Sequence, residues 1–155
     1  MLLTGLLPDI TTDPAIETAI DSVEAGRSGT IVAPVGIRPP LLAAVASRAA
    51  TPLVVLTATG RDAESLTNAL ASWIPGVAML PAWETLPHER LSPQVDTMAR
   101  RIAVLRRLVH PIKGDDSAGP ISVLVVPIRA FLQPIISGLA DLEPVRVRTG
   151  DILDL

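Results

Sequence analysis

The segment A-P-V-G-I-R-P-P, residues 33–40, follows a short apolar run and precedes a predicted helix, which is where a phosphate-binding loop would lie. Such a loop needs glycines whose backbone N–H groups face the phosphates, a lysine for charge, and a hydroxyl for magnesium. Only Gly36 matches this pattern. Pro39 and Pro40 occupy the lysine and hydroxyl positions and remove two N–H donors, while Arg38 is one residue out of register. The segment therefore predicts a degenerate site, with no bound nucleotide cofactor and no metal.

A second group of polar residues could carry acid–base chemistry. His88 and Glu89 lie close in sequence to Glu84 and Asp96, and histidine titrates near neutral pH. No nucleophile accompanies them and the chain has no cysteine, so we favour loop side chains that cap and pair locally. Because His110 is the only other histidine and is distant in sequence, no zinc site is predicted.

Arginines on one predicted helix could contact the phosphates of a nucleic acid, namely Arg100, Arg101, Arg106 and Arg107. Only Arg100 and Arg107 share a face at helical spacing, so a solvated helix surface is favoured. A formal net charge of −3, a pI near 5.3 and an aromatic content of 2% also argue against a general nucleic-acid-binding surface. A nucleic-acid-binding module is one alternative function. A free-standing nucleotide-binding enzyme with an atypical phosphate loop is another.

Short apolar runs alternate with helical spacing along the chain, which predicts an α/β fold with a three-layer, mainly parallel sheet and helices on both faces. After a short polar lead, Asp13 is predicted to cap the first helix. The predicted helices are Pro14–Val23, Pro40–Ala50, Asp62–Ile74, Pro93–Val109 and a short one opened by Pro127 and bent at Pro134. The predicted strands are Thr30–Ala33, Leu53–Leu56, Val77–Leu80, Ser122–Val126 and Val145–Arg148.

Length and composition indicate one domain over residues 1–155, since 48% of the residues are hydrophobic and can form a sizeable core. No apolar run reaches the roughly 18 residues of a membrane span. The start of the chain lacks a basic region followed by an apolar one, so a cytoplasmic location is expected.

The stretch L-P-A-W-E-T-L-P-H-E-R-L-S-P-Q-V-D-T-M, residues 80–98, is the most informative part of the sequence. Pro81, Pro87 and Pro93 exclude a regular helix or a central strand as far as Ser92. Ser92 is predicted to be an N-cap and Pro93 the first helical residue.

Apolar side chains between these prolines, Trp83, Leu86 and Leu91, are expected to pin the loop to a core. Trp83 could instead be a stacking platform for a base or ligand. Because it is a single ring flanked by prolines and leucines, a buried structural role is favoured.

The same run, P-A-W-E-T-L-P-H-E-R-L-S-P-Q-V-D-T-M-A-R-R-I-A-V-L, resembles the signature of the amino-terminal region of bacterial transcription-repair coupling factors (Mfd), whose first domains are similar to the excision-repair protein UvrB. A looser similarity of arrangement extends from about Gly29 to Gly150. The signature residues are Trp83, Glu84, Leu86, Pro87, Ser92, Pro93 and Asp96.

The resemblance implies a helicase-like fold of the UvrB domain 1a type, with a degenerate nucleotide site, as one noncatalytic subdomain of a much longer multidomain protein. It implies that the whole factor removes RNA polymerase stalled at DNA lesions with an ATP- and Mg-dependent DNA translocase, and recruits the nucleotide excision repair machinery. It also implies that UvrA binds the adjacent subdomain, while RNA polymerase and DNA bind downstream domains.

Overall fold

The computed structural model describes residues 2–85, 92–115 and 117–143. The helices in this part of the chain are α1 (Leu7–Thr11), α2 (Pro14–Glu24), α3 (Arg38–Arg48), α4 (Gly60–Leu70), α5 (Val95–Val109) and α6 (Ile128–Phe131). The strands are β1 (Leu53–Thr57), β2 (Val77–Met79) and β3 (Val123–Pro127). Short 3-10 turns cover Thr4–Leu6, Val35–Ile37 and Leu139–Asp141.

The three strands form one parallel sheet in the order β1-β3-β2. Leu53 pairs with Val123 on one side of β3, and Val77 pairs with Val123 on the other. All five residues of the central strand β3 are buried, which is why its sequence, V-L-V-V-P, is apolar without alternation. The predicted α/β fold with a parallel sheet is confirmed.

Helices cover both faces of the sheet through two apolar clusters. Val123 and Val125 face a cluster to which α1, α2, α3 and α4 contribute. Leu124 and Val126 face a second cluster that includes residues of α5 and α6. The alanine-rich α3 lies close to its neighbours because its small side chains, such as Ala43 and Ala44, are completely buried.

The predicted strand Thr30–Ala33 is wrong. Residues 27–34 have neither helical nor strand structure, and Ile31 and Val32 are 56% and 96% exposed. A buried strand needs a hydrogen-bonding neighbour and cover for its side chains. This segment has neither, so its apolar composition alone does not make it a strand.

The beginning of the chain is more ordered than the polar lead that the sequence indicated. Leu7 in α1 is 5% exposed, and the Leu3 N–H donates to the Ser72 carbonyl at 2.7 Å. The next helix, α2, is capped as predicted: Asp13 Oδ1 accepts from the Ala15 N–H at 2.8 Å.

The predicted start of α5 is wrong by two residues. Gln94, with an extended backbone (φ −62°, ψ 137°), is its N-cap residue and makes no side-chain cap hydrogen bond. Ser92 and Pro93 therefore lie before the helix. The backbone of Gln94 is extended rather than helical, so the helix does not include the residues before it.

The short helix α6 has one buried residue, Ala130. Phe131, which its apolar neighbours suggested would enter the core, is 57% exposed. With only four residues, α6 turns too few side chains toward the sheet to bury the apolar ones that follow it. The predicted strand Val145–Arg148 lies outside the described residues.

Candidate functional site

Residues 81–85, which we call the Trp83 loop, connect β2 to the region of α5. The Trp83 N–H donates to Gln133 Oε1 at 2.8 Å, and Gln133 Nε2 donates to the Trp83 carbonyl at 3.3 Å. The side-chain amide of Gln133 thus satisfies both backbone groups of Trp83, as a neighbouring strand would. This pair fixes the loop to the segment that follows α6.

Arg101 of α5 holds the same loop from the other side. Its side chain is completely buried, its Nη1 donates to the Pro81 carbonyl at 2.6 Å, and its guanidinium lies 4.5 Å from the centre of the Trp83 ring. That distance is within the range of a cation–π interaction. Burial lowers the pKa of Arg101, since the charged form loses hydration. Its Nε has no hydrogen-bond partner among the residues that the structure describes.

Glu84 ties the loop to the first turn of α5. Its carboxylate accepts from the Thr97 hydroxyl. The hydrogen bond from Thr97 is the main cause that lowers the pKa of Glu84. A carboxylate at a helix N-terminus also meets the positive end of the helix dipole. Glu84 therefore ties the Trp83 loop to Thr97, the third residue of α5.

Trp83 is partly buried rather than fully enclosed. One of its ring faces is covered by Arg101, and both of its backbone polar groups are satisfied by Gln133. These contacts favour the structural role over the stacking platform, and that role stays a prediction. Leu86, Pro87 and Leu91 lie outside the described residues.

Glu84 and Asp96, the two described members of the candidate acid–base group, have different partners. Glu84 pairs with Thr97, whereas Asp96 forms an exposed ion pair with Arg100 at 2.9 Å. The two carboxylates thus serve separate local partners. His88 and Glu89 lie outside the described residues.

The arginines of α5 do not form a row that could follow a phosphate backbone. Arg107 Nε donates to the Gly119 carbonyl at 2.8 Å, and Arg106 Nη1 donates to the Leu142 carbonyl at 3.2 Å. The expected solvated surface is wrong for Arg101, because Trp83 and the Pro81 carbonyl draw its side chain inward.

Residues 33–40, the segment compared above with a phosphate loop, lie beside a cavity of about 830 Å³ at the carboxyl end of β1. Gly36 is in a 3-10 turn and does not have a positive φ. Arg38 is the first residue of α3, so Pro39 and Pro40 remove N–H donors from its first turn. The cavity lining is mostly aliphatic, and Arg38 and Asp62 add one positive and one negative charge to it.

Two further findings concern the described residues only. No group of three or more histidine, cysteine, aspartate or glutamate side chains there could hold a metal ion. No helix within the same residues is long and apolar enough to cross a membrane.

Comparison with known proteins shows which family the chain belongs to. The transcription-repair-coupling factors of Mycobacterium bovis and Mycobacterium tuberculosis are each 46% identical to the chain over 125 residues, which is 79% of the chain and 10% of each relative. The chain therefore belongs to the transcription-repair-coupling factor family, as a homologue of one segment of these proteins. The predicted family is confirmed. No protein-family model matches the chain.

A more distant coupling factor, that of Escherichia coli, is 29% identical over 96 residues, which is 61% of the chain and 8% of that relative. The chain spans about one tenth of the length of the curated coupling factors it matches. What it provides is therefore one domain of a coupling factor.

Sequence reasoning missed two contacts in this coupling-factor domain that hold the Trp83 loop. Arg101 lies on the same stripe of α5 as the buried Thr97 and Leu105, and a charge within an apolar stripe was the available signal. Gln133 gave no signal, since it lies 50 residues from Trp83 in an irregular segment.

Proposed function

We propose that this chain is the noncatalytic amino-terminal domain of a transcription-repair coupling factor, with a structural and interaction role in DNA repair. The start of α3 carries this proposal. Arg38, Pro39 and Pro40 stand there without a lysine, and the carboxylate of Asp62 lines the same cavity. A phosphate loop for ATP and magnesium needs free N–H donors, and it needs a lysine and a hydroxyl at the positions that Pro39 and Pro40 occupy.

In this proposal the parent protein removes RNA polymerase stalled at DNA lesions. Its motor domains bind ATP and magnesium and act as a DNA translocase with ATP hydrolase activity. RNA polymerase and DNA bind those downstream domains, and the protein works in the cytoplasm. The relatives are named transcription-repair-coupling factors, and this name supports the assignment.

The parent also recruits the UvrA-containing nucleotide excision repair machinery, and UvrA binds the subdomain adjacent to this chain. The domain itself holds that subdomain in place. The contacts of the Trp83 loop favour this role, which requires a rigid domain. Arg101, Glu84 and Gln133 tie the loop to elements on both of its sides.

Isothermal titration of the chain with Mg-ATP and Mg-ADP, to millimolar nucleotide, tests the noncatalytic assignment. We expect no saturable heat. The full-length protein carrying Arg38→Ala should hydrolyse ATP at the wild-type rate, because its nucleotide binds elsewhere. Saturable heat from the chain that is abolished by Arg38→Ala would overturn the proposal.

A further inference from the structure

One face of β1 is uncovered in the described part of the chain. Val54 and Leu56 point to the side of the sheet that carries α5 and α6, and they are 51% and 47% exposed. Their partners on β3, Leu124 and Val126, point the same way and are 6% and 2% exposed. This face of the sheet is therefore buried at β3 and about half exposed at β1.

The reason is the position of the helices. On this side, Val104 of α5 and Ala130 of α6 are buried with residues of β2 and β3. No helix among residues 2–85, 92–115 and 117–143 covers β1 there, whereas α3 and α4 cover its opposite face. Parallel sheets are normally buried on both faces. The layer is thus incomplete over one strand.

The apolar surface continues beyond β1. Pro127, which pairs with Thr57, leads directly into α6, and α6 packs beside β1. Large apolar side chains on α6 and just after it are exposed, namely Ile128 (40%), Phe131 (57%), Leu132 (74%), Ile135 (53%) and Ile136 (77%). Together with Val54 and Leu56 they form what we call the β1–α6 face. Large exposed apolar side chains in this number, on α6 and on the strand that it contacts, indicate a site of association.

We infer that the β1–α6 face is the docking surface for a helix that belongs to another domain of the same, longer polypeptide. This inference rests on the proposed function, in which the chain is one domain of a coupling factor. The opposite face of β1 shows the size of element required. α3 and α4 each have 11 residues, and a five-residue strand and an 11-residue helix both span about 17 Å.

The composition of the face favours a permanent partner within the chain. All of its members except Phe131 are aliphatic, whereas separate proteins usually meet through tryptophan, tyrosine and arginine anchors. The one charged residue within α6, Arg129, donates to the Glu84 carbonyl at 3.1 Å. An aliphatic surface of this kind resembles a domain core cut in half. Because the chain spans about one tenth of its relatives, their remaining length can supply the helix.

Thiol labelling of single-cysteine variants tests the inference, since the chain has no cysteine of its own. Leu132→Cys reports on the face, and Val95→Cys on α5, with 80% exposure against 74% for Leu132, is the matched control. Each introduced cysteine reacts with a maleimide, and mass spectrometry of the peptide that contains it follows the reaction. The measurement is made on this chain and on the full-length protein. We expect both variants to react at the rate of a free thiol in the chain alone. In the full-length protein, Leu132→Cys should react at least tenfold more slowly, and Val95→Cys within about twofold of its free rate.

A disrupting substitution completes the test. Adding Ile136→Glu to the full-length Leu132→Cys variant should restore fast labelling, and adding Leu56→Glu should do the same. Ile136 is 77% exposed, so Ile136→Glu should leave the melting temperature of the isolated chain unchanged.

Several results would overturn the inference. Equally fast labelling of Leu132→Cys in both proteins would mean that nothing covers the face, and equal slowing at both positions would mean general occlusion. Slow labelling in the isolated chain that depends on its concentration would identify a second copy as the occupant. Labelling needs no ATP, UvrA or RNA polymerase, so its outcome can be read whether or not the proposed function survives its own test.

Discussion

Replacement of Trp83 by alanine, alone and together with Arg101→Met, measures how the Trp83 loop is held. The indole and the guanidinium lie 4.5 Å apart, and Arg101 also donates to the Pro81 carbonyl at 2.6 Å. The two side chains therefore contact each other, and both hold the same loop in place. Each single substitution should loosen the contact that the other residue makes.

The magnitudes follow from burial and contact type. Truncation of a fully buried aromatic residue costs about 3–5 kcal/mol, and Trp83 is only partly buried, so we expect about 2–4 kcal/mol. Arg101→Met loses a charged hydrogen bond worth about 1.5–3 kcal/mol. It also removes the desolvation cost of a buried cation whose Nε is unpaired, so the net loss should be about 1–2 kcal/mol. The coupling energy should be about 0.5–2 kcal/mol, the range of a cation–π contact.

Urea denaturation followed by far-ultraviolet circular dichroism gives the four free energies of unfolding. Arg100→Met is the control, because Arg100 is an exposed neighbour that pairs with Asp96 and should show no coupling to Trp83. A coupling energy between Trp83 and Arg101 no larger than that of the control would refute the reasoning. Unchanged stability of Trp83→Ala together with altered binding of a ligand would restore the stacking platform.

Three further outcomes are expected. Gly76→Ala should lower the free energy of unfolding by about 1–3 kcal/mol, because Gly76 has φ +75° and a Cβ there would lie 2.8 Å from Ser122 Oγ. Gly36→Ala is the control and should be close to neutral, because a Cβ at Gly36 would lie in open space. The contribution of Glu84, whose pKa is lowered, should be complete above the pKa of a free glutamate, about 4.3, and should be lost as the pH falls through the lowered value. Melting temperatures measured against pH should therefore show a shallower acid-side loss in Thr97→Val, which removes the main cause of the shift; an unchanged slope would contradict this. Surface-bound UvrA should capture a version extended by about one domain but not this chain alone, and equal capture of both would place recognition residues within 1–155.

The sequence predicted the elements whose burial follows from their own composition and missed those that depend on distant contacts. The apolar run of β3 gave the correct strand, whereas the similar run Thr30–Ala33 gave a wrong one, because a local pattern does not reveal whether a neighbouring strand exists. The Ser92-Pro93 signal placed the start of α5 two residues too early, because the local pattern does not reveal that Gln94 has an extended backbone.

The candidate site shows the same division. The prolines identified the Trp83 loop as irregular, and its apolar anchor was recognised from residue type alone. The burial of Arg101 could not be read from α5, since it depends on an indole 18 residues earlier in the chain. Local charge patterns predict solvation, and only the tertiary fold decides which charge is enclosed.

The order of the strands also has a consequence for biosynthesis. β1 and β2 have no hydrogen bonds to each other, because both pair only with β3, the last of the three to be translated. About 70 residues separate Leu53 from Val123, so at about 5–20 residues per second the first strand waits roughly 4–14 s on the ribosome for its partner. Until then Val54, Val55 and Leu56 lack the backbone hydrogen bonds that they make with β3 in the folded protein. The nascent polypeptide therefore carries an unpaired aliphatic segment during this interval, in which a chaperone would engage it.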